Sequence, residues 1–116
     1  MANMKKQYNQ LPHVAFSILL ALSLKPRHGY EIMQQVADDS GGKLKLSPGA
    51  LYGSIKQLRE QQLIEEYSKE PEARRRYYRL TSTGKAALNA ELEHYERSVA
   101  LARHRQALQI ARDTEI

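Results

Sequence analysis

The side chains with the most evident chemistry in this sequence are basic, and they are concentrated between residues 43 and 85. This segment holds ten Lys and Arg residues against five Glu residues, an excess of +5 that equals the formal net charge of the whole chain. A positive excess confined to one segment is typical of a surface that binds a polyanion such as DNA. A solvated basic face without a partner is the alternative.

Part of this segment is predicted to form a helix whose outer face carries small and polar residues. Ser47 and Pro48 suit its N-cap and first helical position. At 100° per residue, Leu51, Ile55 and Leu58 form a buried stripe, and the opposite side can face a DNA groove. The candidate DNA-binding residues of this helix are Ser47, Gly49, Tyr52, Gly53, Lys56 and Gln57.

The two glycines of this helix favour a binding surface. Each glycine inside a helix costs roughly 1 kcal/mol relative to alanine, so an outer helix face has little structural reason to carry two. Glycine allows the helix backbone to approach bases and phosphates closely. The alternative is that Gly49 serves only the helix start and that Gly53 packs against a neighbouring element.

Three consecutive arginines, Arg74, Arg75 and Arg76, enter a predicted strand over residues 75–80. Strand alternation would direct Arg75 to one face and the other two to the opposite face. We expect them to contact phosphates or a narrow minor groove, where negative potential is concentrated. We also expect at least one of them to lie against the tyrosines or to pair with Glu65 or Glu66.

An enzyme, a metal site and a membrane span are not expected. The chain has no cysteine, and no histidine pair has metal-ligand spacing, since His94 and His104 lie ten residues apart on one predicted helix. No glycine-rich phosphate loop follows a strand, and no cofactor is expected. The longest apolar run, from Val14 to Leu24, is shorter than the roughly 20 residues of a membrane span. We therefore expect no membrane partner and a cytoplasmic location.

The order of predicted elements is helix, helix, helix, hairpin and long helix. Pro26 ends the first helix, which begins at Pro12, and Gly41-Gly42 ends the second. Either Thr81 or Thr83 caps the last helix. The fold class is mainly α (α+β): a winged helix-turn-helix with a two-stranded β-wing. The predicted regions are a flexible tail (1–11), the winged helix-turn-helix domain (12–81) and a C-terminal dimerisation helix (82–116).

Apolar residues of the last helix recur at spacings of 4, 3, 4 and 3, as in a coiled-coil seam. This predicted dimer interface consists of Leu88, Leu92, Tyr95, Val99 and Ala102. A twofold dimer would present two reading helices to a pseudopalindromic site. The alternative is that the helix folds back over the first helix of its own chain. Tyr95, with Phe16, borders a possible apolar slot for a flat ligand, and plain packing is the alternative there.

Four motifs in the right order resemble the PadR family of transcriptional regulators. The resemblance implies a winged-helix homodimer that usually represses promoters. In some members, it implies that a small aromatic or drug-like molecule relieves this repression. It also supports Tyr52 and residues 47–56 as the DNA surface. A winged-helix protein-interaction module without an effector is the alternative. The residues that carry the resemblance are His28-Gly29-Tyr30-Glu31-Ile32, Leu46-Ser47-Pro48-Gly49-Ala50-Leu51-Tyr52, Leu63-Ile64, and Arg75-Arg76-Tyr77-Tyr78-Arg79-Leu80-Thr81 with Gly84.

Two positions depart from the pattern of that family. Gln62 stands where glycine is usual before the Leu-Ile pair, so we expect the turn to differ, because glutamine adopts a left-handed conformation only at some cost. The wing tip carries Pro71 and two glutamates in place of glycines. We therefore expect the arginines to contact phosphates rather than the tip to insert into a minor groove.

Overall fold

Six of the seven elements of the fold follow the predicted order of three helices, a two-stranded hairpin and a long helix. The computed structural model describes residues 11–68 and 74–114, so most of the predicted tail and the tip of the wing lie outside the described residues. The mainly helical winged-helix prediction is confirmed. The elements are α1 (His13–Leu22), β1 (Arg27–His28), α2 (Gly29–Asp39), α3 (Pro48–Glu60), β2 (Ile64–Tyr67), β3 (Tyr77–Leu80) and α4 (Ser82–Asp113).

The sheet has three strands in the order β1-β3-β2, all antiparallel. The predicted two-stranded wing is present as β2 and β3, and the third strand, β1, was not predicted. Arg27 pairs with Tyr78 and His28 with Tyr77 along the outer edge of β3. A strand of two residues is too short for an alternating pattern, so only its tertiary pairing identifies it. Strand β3 begins at Tyr77, which leaves Arg75 in the bend before it. The predicted alternation of the three arginines therefore does not apply.

Helices α2, α3 and α4 begin after residues whose side chains cap them. The Ser47 Oγ accepts a hydrogen bond from the Ala50 N–H at 3.1 Å, as expected for the cap of α3. The Thr81 Oγ1 accepts from the Gly84 N–H at 2.9 Å, which decides between the two threonines for α4. The α2 cap was not predicted: His28 and Glu31 form a reciprocal capping box.

The core lies between the three short helices, the sheet and the first turns of α4. Leu51, Ile55 and Leu58 of α3 are at most 3% exposed, so the predicted inner stripe is confirmed. Helix α1 contributes Ile18 and Leu19 to the same core. It ends at Leu22, earlier than its apolar run, and Leu24 is 82% exposed.

The turn between α3 and β2 keeps its left-handed residue although that residue is glutamine. Gln62 has a φ of 61°. Its N–H donates to the Arg59 carbonyl, and the Leu63 N–H donates to the Leu58 carbonyl, both at 2.9 Å. This pair of bonds is the Schellman arrangement that glycine usually completes. The turn therefore keeps the geometry that glycine usually gives it, contrary to our expectation. Gln62 adopts this geometry with backbone strain.

Helix α4 is anchored to this turn. The Thr81 hydroxyl donates to the Gln62 carbonyl at 2.6 Å. Gly84 lies so close to the Leu63 carbonyl that a Cβ atom would collide with it. The angle at which the long helix leaves the domain is thus set by a contact that requires glycine.

Replacing Gln62 by glycine should stabilise the fold by about 0.5–1 kcal/mol, because it removes the left-handed strain of a residue with a Cβ atom. The matched control is Gln61→Gly, since Gln61 has an ordinary φ of −80° and gains only backbone freedom in the unfolded state. Urea unfolding at one protein concentration should move the two midpoints in opposite directions. A loss of stability in both variants would contradict the strain at residue 62.

Candidate nucleic-acid interface

Helix α3 and the arginine hairpin line one groove, which we call the α3 groove. It has a volume of about 430 Å³. Lys56 and Arg59 stand on its α3 side, and Arg76 stands on the hairpin side. Tyr78, which is 4% exposed, lies against it from β3. The polar face of α3 and the basic hairpin therefore lie next to each other in the structure.

Both glycines of α3 face open space. A Cβ atom added at Gly49 or at Gly53 would have no neighbour within 4 Å. The alternative in which Gly53 packs against another element is therefore wrong. The backbone of α3 is exposed along this face, so another molecule can approach it closely.

Tyr52 stands beside the α3 groove and reaches the start of α2. Its side chain is half-exposed, and a Cβ atom at Gly29 would lie 2.5 Å from the Tyr52 hydroxyl. Glycine at residue 29 therefore lets the ring lie across the first turn of α2. The hydroxyl is held at the surface, where it can donate to an acceptor from outside the chain.

Not every predicted residue of α3 faces the hairpin. Gln57 lines a cavity of about 60 Å³ against Pro12, Val14 and Ala15 at the start of α1. Its exposed side chain is on the α1 flank of α3 and does not line the α3 groove. Arg59 was left out of the predicted set although it lines the groove. Its spacing of three residues from Lys56 is a signal that could have shown that both side chains lie on one face of the helix.

Two neighbouring glutamates of β2 hold arginines on different sides. The Glu66 carboxylate lies 3.7 Å from Arg59 and 3.5 Å from Arg76. Glu65 accepts from the Arg79 Nε at 2.8 Å, and the Arg79 guanidinium lies 4.5 Å from the centre of the Tyr67 ring. The expectation that at least one of the three hairpin arginines pairs with these glutamates is confirmed for Arg76. Glu66 therefore reduces the positive charge of the α3 groove.

Tyr78 is an uncharged hydrogen-bonding group at the wall of the α3 groove. Burial of the phenol, reinforced by the nearby Glu66 carboxylate, raises the pKa of Tyr78 above its ordinary value of 10.0. The positive charges of Arg59 and Arg76 lower it by less. The phenol consequently stays protonated at neutral pH.

The predicted seam of α4 divides into two parts. Leu88 is 4% exposed and Leu92 packs against the core, so both contact their own chain. The Tyr95 ring meets the Phe16 ring edge to face, with 5.2 Å between centres. The folded-back alternative thus describes the first turns of α4. From Tyr95 to Thr114 every residue is exposed, including Val99 and Ala102.

A buried carboxylate on α4 was not predicted. Glu91 is 7% exposed, and its Oε2 has no hydrogen-bond partner among the described residues. No pattern in the sequence distinguishes it from the exposed glutamates of the same helix. Within residues 11–68 and 74–114, no group of three His, Asp or Glu side chains has metal-binding geometry. No helix in those ranges is long and apolar enough to cross a membrane.

The fold agrees with that of a known protein family. The model of the family described as "Transcriptional regulator PadR-like family" matches residues 18–90, from α1 to the first third of α4. The chain belongs to the PadR-like family. The members of this family are DNA-binding transcriptional regulators. Solved structures of such regulators resemble this chain. Transcriptional regulators of this family are not enzymes.

Solved structures resemble this PadR-like chain over most of its length. A PadR family transcription regulator from Clostridium difficile is 25% identical, with a TM-score of 0.68 over 80% of this chain and 97% of that one. Bacillus subtilis PadR in complex with operator DNA is 22% identical, with a TM-score of 0.61 over 70% of this chain and 47% of that one. This second likeness concerns the fold.

A protein relative is more similar in sequence. "Uncharacterized protein X" of Lysinibacillus sphaericus is 37% identical over 76 residues, which are 63% of this chain and 70% of that protein.

Replacing Glu66 by glutamine should tighten binding to a random-sequence duplex roughly two- to fivefold, because Arg59 and Arg76 lose a competing carboxylate. The control Glu65→Gln makes the same change of charge at the adjacent residue but frees Arg79, which does not line the α3 groove. Fluorescence anisotropy at several salt concentrations measures both. Equal gains for the two variants would mean that Glu66 acts only through net charge.

Proposed function

We propose that this PadR-like regulator binds a pseudopalindromic operator as a homodimer, with α3 in the major groove, and represses transcription from that DNA. The observation that carries the proposal is the α3 groove, in which Lys56, Arg59 and Arg76 stand beside an exposed glycine face. Cations from two elements converge there on one surface. A DNA duplex is complementary to such a surface, because the phosphates of the duplex border the major groove in which α3 reads base edges.

The candidate residues have different roles in this proposal. Lys56 faces the floor of the DNA groove, where its ammonium group can donate to base edges. Ser47 and Gly49, both exposed at the N-terminus of α3, lie where the helix backbone meets a phosphate. Tyr52 donates to the DNA backbone, and Arg74, Arg75 and Arg76 neutralise phosphates. Gln57 stands on the α1 flank of α3, so it would contact DNA only at the margin of the interface.

The second half of α4 supplies the proposed dimer contact. Helix α4 has 32 residues and therefore spans about 48 Å. At 100° per residue, Val99 and Ala102 continue the side of α4 on which Leu88 and Tyr95 contact their own chain. Val99 is 51% exposed, which leaves apolar surface for a second copy. A twofold contact along this face would place two α3 helices on one side of the dimer.

The proposed effector is a flat aromatic or drug-like molecule held near the root of α4. Phe16 and Tyr95 already contact each other there, and Tyr95 is 40% exposed. In a dimer, two such aromatic pairs would lie close to the twofold axis and could border an apolar slot. A ligand that changes the packing of α1 against α4 would change the separation of the two α3 helices and so relieve repression.

Replacing Gly53 by leucine should separate folding from DNA binding. Leucine has the higher helix propensity and open space around it, so stability should rise by up to about 1 kcal/mol. The side chain should nevertheless prevent α3 from entering a DNA groove and reduce affinity at least tenfold. Thermal unfolding and anisotropy on genomic fragments selected by the wild-type protein measure the two effects. Unchanged affinity would remove Gly53 from the interface, and Gly53→Ala should give an intermediate result.

Replacing Val99 by aspartate should produce monomers in analytical sedimentation, because it places a charge in the proposed apolar contact. Leu101→Asp is the control: it introduces the same charge on the opposite side of α4, where Leu101 is 45% exposed. Dissociation by Leu101→Asp alone would move the contact to that side. A dimer that survives both substitutions would place the interface outside α4.

A further inference from the structure

A second cleft lies next to the α3 groove, between the start of α2 and the arginine hairpin. We call it the hairpin cleft; its volume is about 440 Å³. Tyr30 and Tyr52 stand at its rim, and both side chains are more than half-exposed. The three arginines 74–76 also line it.

The charged side chains that line the hairpin cleft are arginines and His28. Among the described residues 11–68 and 74–114, no carboxylate lines it, whereas Glu60 lines the α3 groove. Arg76 is engaged by Glu66. Arg75, in contrast, has no carboxylate within 4.0 Å in the part of the chain that the structure describes. The cleft thus combines an arginine without a carboxylate partner with tyrosine hydroxyls, both of which bind anions.

His28 contacts Arg75 at one side of the hairpin cleft. The Arg75 Nη1 lies 3.3 Å from the His28 Nε2. The His28 Nδ1 accepts the Glu31 N–H at 3.4 Å, and the His28 Nε2 also lies 3.2 Å from the Glu31 carboxylate. The Arg75 guanidinium carries five N–H donors, so a contact with one ring nitrogen leaves the others for an anion.

The hairpin cleft and the α3 groove are adjacent, because Tyr52, Arg76 and Tyr78 line both. A ligand that fills the α3 groove therefore passes the entrance of the cleft. For a DNA duplex, the part that flanks the base-reading helix is the sugar-phosphate backbone, whose contacts set the register of the protein on DNA.

We propose that the hairpin cleft is a phosphate-binding site that holds one backbone phosphate of the duplex bound in the α3 groove. Arg75 pairs with the phosphate, and the Tyr30 and Tyr52 hydroxyls donate to its oxygens. This inference rests on the proposed DNA-binding function and adds Tyr30 as a DNA contact. His28 is a positioning residue, since it acts through Arg75 and the cap of α2.

The test measures binding of a 20-base-pair random-sequence duplex over a series of KCl concentrations. Tyr30→Phe should weaken binding three- to tenfold and leave the salt dependence unchanged, because it removes a hydrogen bond and no charge. Arg75→Gln should weaken binding and also reduce the slope of log K against log salt by about 0.9, as expected for one phosphate contact. Circular dichroism checks that each variant is folded.

Arg112→Gln is the matched control, because it removes the same charge from the exposed far end of α4. Wild-type affinity for Tyr30→Phe, with equal slopes for Arg75→Gln and Arg112→Gln, would overturn the phosphate site. Lys56→Gln separates this failure from that of the proposed function. If Lys56→Gln weakens binding and the cleft variants do not, DNA occupies only the α3 groove. If wild-type protein shows no salt-dependent binding, the proposed function itself fails.

Discussion

The constraint on which the rest of this structure depends is the burial of one apolar stripe of α3. Because Leu51, Ile55 and Leu58 are almost fully enclosed, the rotation of α3 about its axis is set by the core. Gly53 and Lys56 must then face outward. The β2–β3 hairpin packs beside the same helix, so its arginines reach the side on which those residues lie. A surface for an anion thus arises from hydrophobic packing.

Ion pairs at this surface offset the repulsion between arginines and limit the orientations of their side chains. Arginines that face one another repel, and Glu66 offsets this by lying between Arg59 and Arg76. Glu65 does the same for Arg79 on another side of the hairpin. These exposed pairs contribute little to the free energy of folding, but they limit the orientations of the guanidinium groups. Arg75 is arranged differently, since its recorded contact is with His28 and not with a carboxylate of the described residues.

Helix α4 lies in two different environments along its length. Its first turns, with Gly84, Leu88 and Glu91, are buried against the domain, and its second half is exposed. The close contact of Gly84 with the Leu63 carbonyl, together with the Thr81 bond to the Gln62 carbonyl, fixes the root of the helix to the end of α3. A change at the root of α4 would consequently be transmitted to the helix that carries the candidate reading face.

The sequence by itself determined the order of the helices, the cap at Ser47, the buried stripe of α3 and the family, because periodicity, capping and ordered motifs are local signals. It left the cap of α4 open between Thr81 and Thr83. It also located the positive excess. Only the tertiary structure decided that residues 27–28 form a strand, that Leu88 belongs to its own core and that Gln57 faces α1. These features depend on which elements meet across the fold, and a pattern along the chain carries no distance between elements that are far apart in sequence. For the same reason, the hairpin cleft, assembled from α2, α3 and the hairpin, emerged only from the folded chain.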